Sequence, residues 1–323
     1  MRGTVRYVAM TKDERNEDRW VFFNSLPLPE SQRSIRMRYK REESVNEAET
    51  IASVSVLVYD THKGIVTREQ AVIQERPIAL YFNEKEFVTL LCAGNHLDEL
   101  AIGFFYAEGL LQTLEDLIAI RIDKDAGKVM ISAKPYPAMY EKLREKRTIT
   151  SGCGKGTVFY NALDALLSKP VCSALTIRAL EITKLIHDLN TLSDEYRQTH
   201  GVHNCALASP GELLVFRDDI GRHNAVDMIV GNAFLNGLSL ADKLLVTTGR
   251  LTSEIIIKAA KIGIPLIVSR NTATTLAIEI AQSLNITLVG YARAGKFTVY
   301  TGHERISDST AARGETFHND HLS

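Results

Sequence analysis

The sequence has no long apolar run, few cysteines and no excess of charge of either sign. The 323-residue sequence contains no uninterrupted apolar stretch of the roughly 18 residues that a membrane-spanning helix needs. The N-terminus has no apolar signal core before the charged run 12–19, so we expect a cytoplasmic protein that does not bind membranes. Lysine and arginine number 38 against 39 aspartate and glutamate, which excludes a globally basic, nucleic-acid-binding surface. Any anion must therefore be bound by a local cluster of cations.

The balance of residue types is that of a globular protein. Hydrophobic residues make up 45% of the chain, charged residues 24%, and the formal net charge is -1. A chain of this length and composition can bury enough apolar surface for one or two domains. Disorder as the main state is therefore excluded.

The four cysteines, Cys92, Cys153, Cys172 and Cys205, are too few and too scattered for a disulfide framework. A cysteine in a reducing compartment is usually either buried or reactive. Cys92 lies among bulky apolar residues, and we expect it and Cys172 to pack in the core. Cys205 follows His203 by two positions on a predicted strand and is also expected to be buried.

Cys153 is the exception, because three glycines and a lysine surround it in the segment 149–160. Glycine leaves the thiol unshielded, and Lys155 favours the nucleophilic thiolate. We interpret the segment as a glycine-rich connection between two domains that carries a reactive cysteine. The alternative is a flexible linker in which the cysteine has no role.

Two patterns of secondary structure follow one another along the chain. Before the glycine-rich segment, β-branched runs broken by turns predict antiparallel strands, with one helix over 95–111 packed on them. After it, short apolar strands alternate with helices over 176–192, 222–235, 253–261 and 274–284, which predicts an α/β fold with a mostly parallel sheet covered on both faces.

These patterns divide the chain into five segments and give the fold class as α/β with a smaller α+β, β-rich N-terminal unit. We expect a partly disordered extension over 1–65, a β-rich N-terminal domain over 66–148, the glycine-rich loop over 149–160, an α/β cofactor-binding core over 161–302 and a tail over 303–323.

Several candidate binding residues follow predicted strands. Arg222 and His223 fall in the first turn of a predicted helix, where unpaired N–H groups favour an anion. The alternative is a plain capping turn with Asp219 as the N-cap. Arg250 and Arg270 lie in two strand-to-helix turns at the carboxyl ends of predicted parallel strands, where α/β sheets bind ligands.

Neither turn is a Walker loop or a dinucleotide fingerprint, which disfavours ATP hydrolysis and NAD binding. Between the last two strands a short turn with two cations and a stacking aromatic ring adds a further candidate, although taken alone it is a plain hairpin. Its residues are Tyr291, Ala292, Arg293, Ala294, Gly295 and Lys296.

A metal site receives little support. His203 and Cys205 are two possible ligands, but the glutamate and the cysteine pair of a zinc deaminase are missing from the sequence. A hydrogen-bonded structural histidine is preferred to a metal ligand, and no metal is predicted. His203 is counted with Arg222 and His223 among the candidate cofactor-binding residues.

Five motifs together resemble the FdhD family over about residues 68–302. They are Ser-Gly-Cys-Gly-Lys-Gly at 151–156, Gly-Val-His at 201–203, Asp-Ile-Gly-Arg-His-Asn-Ala-Val-Asp at 219–227, Thr-Gly-Arg-Leu-Thr-Ser-Glu-Ile at 248–255 and Tyr-Ala-Arg-Ala-Gly-Lys at 291–296. The resemblance implies an accessory sulfur carrier, a sulfurtransferase required for formate dehydrogenase activity. It also implies a three-layer core similar to the cytidine deaminase fold, without the zinc ligands.

The resemblance further implies roles and partners. Cys153 matches the persulfide-forming cysteine, which accepts sulfur from a cysteine desulfurase. The sulfur passes to a molybdenum or tungsten bis(molybdopterin guanine dinucleotide) cofactor, bound as cargo by residues 291–296 before its insertion into formate dehydrogenase. Where many members have a second cysteine this chain has Gly156, so Cys153 acts alone or with a distant thiol such as Cys205. The β-rich unit suggests a homodimer.

Two other functions stay open from the residues. One is a nucleotide-cofactor-binding chaperone that transfers no sulfur and in which Cys153 is incidental. The other is a zinc hydrolase of the deaminase fold. Retained sulfur transfer after substitution of Cys153 favours the chaperone, and stoichiometric zinc favours the hydrolase.

Overall fold

The computed structural model describes residues 6–12, 18–24, 50–134 and 169–307, the first two ranges by their backbone alone. Within these ranges, an N-terminal part made of strands and one α-helix is followed by the α/β part. The N-terminal elements are β1 (Arg6–Lys12), β2 (Asp18–Asn24), β3 (Ile51–Asp60), β4 (Gly64–Ile73), β5 (Arg76–Phe82), β6 (Lys85–Cys92), α1 (Leu97–Ala107), β7 (Leu117–Asp123) and β8 (Lys128–Ala133).

The N-terminal sheet has the strand order β1-β2-β7-β8-β5-β6, while β3 and β4 form a separate two-stranded ribbon. Turns around 63–64, 83–84 and 125–127 join consecutive antiparallel strands. Helix α1 covers the sheet with apolar side chains, as its helical spacing predicted.

The second part contains β9 (Ile177–Arg178), α2 (Ala179–Leu192), α3 (Asp194–Thr199), β10 (His203–Ser209), β11 (Glu212–Asp219), α4 (Arg222–Leu235), β12 (Leu244–Thr247), α5 (Ser253–Lys261), β13 (Leu266–Ser269), α6 (Thr275–Ser283), β14 (Thr287–Arg293), β15 (Lys296–Thr301) and β16 (Ile306–Ser307). Its sheet has the order β11-β10-β12-β13-β14-β15.

The prediction of a mostly parallel sheet was wrong at both ends. Strands β12, β13 and β14 are parallel, but β10 pairs antiparallel with β11 and β12, and β14 pairs antiparallel with β15. The outer strands are joined by short hairpin turns, which permit only antiparallel pairing. Helices nevertheless cover both faces as predicted, with α2 on one face and α4, α5 and α6 on the other.

The two parts meet at a close crossing of α1 and α4. A Cβ atom on Gly103 would lie 1.7 Å from the carbonyl oxygen of Asp227, and one on Gly231 would lie 1.9 Å from that of Glu99. Glycine at both positions therefore lets the backbones touch. Met228 of α4 belongs to the apolar cluster of the N-terminal sheet.

Three predicted boundaries differ from the structure. The boundary at residue 65 falls inside the β3–β4 ribbon, and β2 of the predicted extension pairs with β7. The predicted helix start at 176 is three residues too early, because 177–178 form the short strand β9. That strand pairs with β16 at 306–307, within the predicted tail. The glycine-rich loop over 149–160 lies outside the described residues.

No helix in the described ranges is long and apolar enough to span a membrane.

Candidate functional site

The predicted binding residues gather at the edge of the second sheet where its parallel strands end. Cys205 of β10 pairs with Thr247, the last residue of β12, so His203 lies just beyond the end of that strand. Because β10 pairs antiparallel with β11, the N-terminus of α4 reaches the same edge. The edge is therefore built from strand ends and helix starts, as the sequence predicted.

His203, Arg222 and Arg250 form a cluster of basic side chains at this edge. Burial, and then the charges of Arg222 and Arg250, lower the pKa of His203. Burial and the charge of Arg250 also lower the pKa of Arg222. Arg222 lies against Gly249, where a Cβ atom would stand 2.9 Å from the Arg222 Cβ. The repulsion between the positive charges of Arg222 and Arg250 favours an anion between them.

Two further observations make the cluster a candidate binding site. The Nε atom of Arg222 is buried and has no hydrogen-bond partner among the described residues, and the same holds for Oγ1 of Thr252, the residue before α5. A buried polar atom without a partner costs about 1–3 kcal/mol, so its partner is commonly a ligand or water.

His223 lies in the first turn of α4 with its Nδ1 atom 3.2 Å from Oε2 of Glu254. Burial, followed by the charges of Lys258, Arg222 and His203, lowers its pKa to about 3. The imidazole is therefore neutral at pH 7. Sequence reasoning missed Glu254, although it stands in the first turn of α5 beside the predicted turn.

A buried ion pair lies near this histidine. The ammonium group of Lys258 donates to both carboxylate oxygens of Asp227, at 2.5 and 2.6 Å. Burial raises the pKa of Asp227 to about 6 against the opposing charge of Lys258. Sequence reasoning missed this pair too, although a charged residue inside an apolar helix pattern is the signal that could have shown it.

The alternative in which Asp219 is the N-cap of α4 is wrong. The residue before the helix is Gly221, and Asp219 instead accepts from the Gly221 N–H at 2.8 Å and from the Asn224 amide at 2.7 Å. Its other oxygen accepts from the Ala93 N–H at 2.8 Å. Asn224 also donates to the Leu91 carbonyl at 2.8 Å. These bonds fix the tip of α4 to the end of β6.

Arg270 points away from this cluster's helices and toward the opposite face of the sheet. Its Nη1 atom donates to the side-chain oxygen of Asn190 in α2 at 2.9 Å. Its backbone N–H donates to the Thr247 carbonyl, which joins the ends of β12 and β13. The turns that carry Arg250 and Arg270 are therefore neighbours, but the two arginine side chains lie on different faces of the sheet.

The stretch 291–296 forms the predicted hairpin. Ala294 and Gly295 both have positive φ, as a tight two-residue turn requires, and Arg293 pairs with Lys296. Tyr291 is exposed, and the Arg293 guanidinium lies 5.9 Å from the centre of its ring. Ala292 is an exception to the predicted binding stretch, because its side chain is buried in the core.

The cysteines separate into two groups. Cys92 and Cys205 are fully buried; burial raises the pKa of Cys92 to about 12 and strongly raises that of Cys205. The prediction that Cys172 packs in the core was wrong, because its neighbour Val171 enters the core and Cys172 is exposed. Cys153 lies outside the described residues.

Three or more metal-ligating side chains do not converge anywhere in the described part of the chain.

Comparison with known proteins gives a consistent result. Residues 73–307 match the model of the FdhD/NarQ family. The chain is 40% identical over 252 residues to the sulfur carrier protein FdhD of Bacillus subtilis (strain 168), which covers 78% of this chain and 96% of that protein. It is 38% identical over 257 residues to the sulfur carrier protein FdhD of Bacillus licheniformis, with 80% and 97% covered.

A solved structure agrees with these relatives. The fold is similar to the crystal structure of a protein from Desulfotalea psychrophila assigned as a formate dehydrogenase accessory protein, with a TM-score of 0.66 and 28% identity. The match covers 80% of this chain and 100% of that one.

Proposed function

Because this chain belongs to the FdhD/NarQ family, we propose that it is a sulfur carrier that serves formate dehydrogenase. It accepts a sulfur atom from a cysteine desulfurase and passes it to a bis-pterin guanine dinucleotide cofactor of molybdenum or tungsten. The supporting observation is the family match over 73–307, which spans Cys153 and every described residue of the cation cluster. The likeness to the cytidine deaminase fold stays a prediction.

Cys153 is the proposed carrier. Its thiolate attacks the terminal sulfur of a persulfide on the desulfurase; a new S–S bond forms at Cys153, and the desulfurase cysteine leaves as a thiolate. Burial keeps Cys92 and Cys205 as inert thiols, which supports this choice.

The cargo is bound at the cation cluster. The diphosphate groups of a guanine dinucleotide match the positive charges of Arg222 and Arg250, and the unpaired Arg222 Nε supplies a donor. The exposed Tyr291 offers a ring on which a base or pterin stacks. Arg293 and Lys296 add charge at the end of β14, and Arg270 adds charge on the opposite face of the sheet.

Intact-mass analysis after incubation with a cysteine desulfurase and cysteine tests the carrier. We expect one added sulfur, located on Cys153 by peptide mapping and absent from Cys153→Ala. Cys172→Ala is the matched control, because Cys172 is an exposed thiol, and it should still gain the sulfur. Sulfur on Cys153→Ala, or none on the unmodified protein, would refute the carrier.

A cofactor chaperone without sulfur transfer is the second candidate, since the cation cluster alone suffices for binding. It predicts that Cys153→Ala still activates formate dehydrogenase in cells.

A cytoplasmic homodimer is also proposed. The β3–β4 ribbon exposes Leu57, Tyr59, Ile65 and Val66, an apolar set that a second copy would cover. Light scattering gives the mass in solution, and a monomer contradicts the dimer.

A further inference from the structure

The side chain of His223 has one nitrogen close to a carboxylate and one without a hydrogen-bond partner among the described residues. Its Nδ1 atom lies 3.2 Å from a carboxylate oxygen of Glu254. Its Nε2 atom is buried and finds no hydrogen-bond partner among the described residues. The two nitrogens therefore have different environments, and only one of them is left for a ligand.

The surroundings determine what this nitrogen can do. Burial disfavours the imidazolium form of His223, and the positive charges of Lys258 and Arg222 disfavour it further. A neutral imidazole carries a single proton, and the nearby carboxylate favours that proton on Nδ1. Nε2 then carries a lone pair, which accepts a hydrogen bond but donates none.

We propose that Glu254 is a positioning residue that holds His223 in the Nδ1–H form, so that Nε2 accepts a hydrogen bond from the bound nucleotide. This inference rests on the proposed binding of a guanine nucleotide cofactor at the cation cluster. The donor is a hydroxyl or N–H group of the nucleoside, because the phosphate groups within the diphosphate linkage of a dinucleotide carry no proton to donate. Arg222 and Arg250 then bind the negatively charged phosphates, while His223 distinguishes a nucleotide from an anion that has no nucleoside.

Two variants of Glu254 separate positioning from charge. Glu254→Ala and Glu254→Gln both remove one negative charge from the site, but only glutamine keeps an oxygen that accepts from Nδ1–H. Binding is measured with GDP and with inorganic trimetaphosphate, an anion without protons at pH 7. The quantity compared is the ratio of the two affinities.

We expect the ratio for Glu254→Gln to stay near that of the unmodified protein. For Glu254→Ala it should fall about fivefold, the value of one neutral hydrogen bond. A purely electrostatic role would change both variants alike, so equal ratios overturn the inference. Circular dichroism confirms that both variants are folded.

Nitrogen-15 NMR of ring-labelled histidine reads the tautomer without any ligand, and the signal of His223 is identified by its loss in His223→Asn. We expect a protonated Nδ1 and an unprotonated Nε2 at pH 7 in the unmodified protein and in Glu254→Gln. In Glu254→Ala, the ratio of the Nδ1–H to the Nε2–H tautomer should change. A proton on Nε2 in the unmodified protein overturns the inference. If the unmodified protein does not bind GDP, the proposed cofactor site and the acceptor role of Nε2 are both overturned. Whether Glu254 sets the tautomer is decided by the NMR result alone.

Discussion

Gly103 in α1 and Asp227 in α4 lie so close that a methyl group on the glycine would stand 1.7 Å from the aspartate carbonyl oxygen. Two helices that touch in this way can be separated only by moving the sheets packed on them. The position is therefore a sensitive test of how the two parts of the chain are joined.

We predict that Gly103→Ala lowers the free energy of unfolding by about 3 kcal/mol or more, since overpacking against rigid backbone cannot be relieved by a rotamer change. Urea denaturation measures the loss. Gly109→Ala is the control, because a Cβ atom there meets nothing within 4 Å. Its positive φ still costs about 1 kcal/mol, so an equal loss in both variants would contradict the close crossing.

A second prediction concerns the largely buried ion pair between Glu99 of α1 and Arg217 of β11. Arg217 donates to the carboxylate from Nε at 2.5 Å and from Nη2 at 2.6 Å, and Asn232 adds a third donor at 2.8 Å. We expect Arg217→Met to cost about 3 kcal/mol, because Glu99 is left charged and largely desolvated. The double variant with Glu99→Gln should recover part of that loss in the same denaturation assay. A double variant no more stable than Arg217→Met would show that the charge is not the cause.

The third prediction is a pH dependence of stability. Burial raises the pKa of Asp219 to about 6, above its value in the unfolded chain, so the folded state binds the proton more tightly. This contribution to stability is fully present below about pH 4 and is lost as the pH rises through about 6. Denaturation at pH 5, 6 and 7 should show a flatter slope for Asp219→Asn than for the unmodified protein. Asp242→Asn should keep the original slope, because the pKa of Asp242 is lowered and it does not titrate in this range.

The fourth prediction concerns the cation cluster. Arg250→Gln should weaken GDP binding about tenfold, the value of a charge-assisted hydrogen bond, and binding to the unmodified protein should weaken with added salt. Calorimetric titration measures both effects. Arg178→Gln is the matched control, because Arg178 is exposed and pairs with Glu181. Equal affinities for the two variants would place the nucleotide elsewhere.

A fifth prediction follows from the distribution of thiols. Mild oxidation should give an intermolecular or mixed disulfide at Cys153 and no Cys153–Cys205 link, because Cys205 is fully buried and its pKa is raised. Peptide mapping identifies the product. Recovery of that link would mean that Cys205 is the resolving thiol and that Cys153 does not act alone.

Local patterns were enough to predict the helices of the second part. The spacing of apolar residues gave α4 and α5 with their exact ends, and the strand-to-helix turns placed Arg222 and Arg250 at one edge. The antiparallel pairing of β10 with β12 was missed because strand direction depends on which strands become neighbours, and the periodicity of apolar residues does not report this.

The partners of charged groups were also beyond sequence reasoning. Lys258 and Asp227 are 31 residues apart, and Ala93 and Asp219 are 126 apart, so nothing local connects them. Glu254 was overlooked for a related reason, since its role depends on the neighbouring helix rather than on its own turn. Cys172 was wrongly assigned to the core. It lies in an irregular segment without periodicity, so the sequence does not show whether its side chain points inward or outward.

Helix α4 contributes side chains to two hydrophobic clusters, with Met228 in that of the N-terminal sheet and Ile229 in that of the second sheet. Neither cluster is complete without it. Although the sequence divides the chain into two domains, the two clusters should therefore melt together in a single cooperative transition. A fragment cut between them would leave one side of α4 bare, so Arg222 and His223 at its tip depend on strands that lie far from them in the sequence.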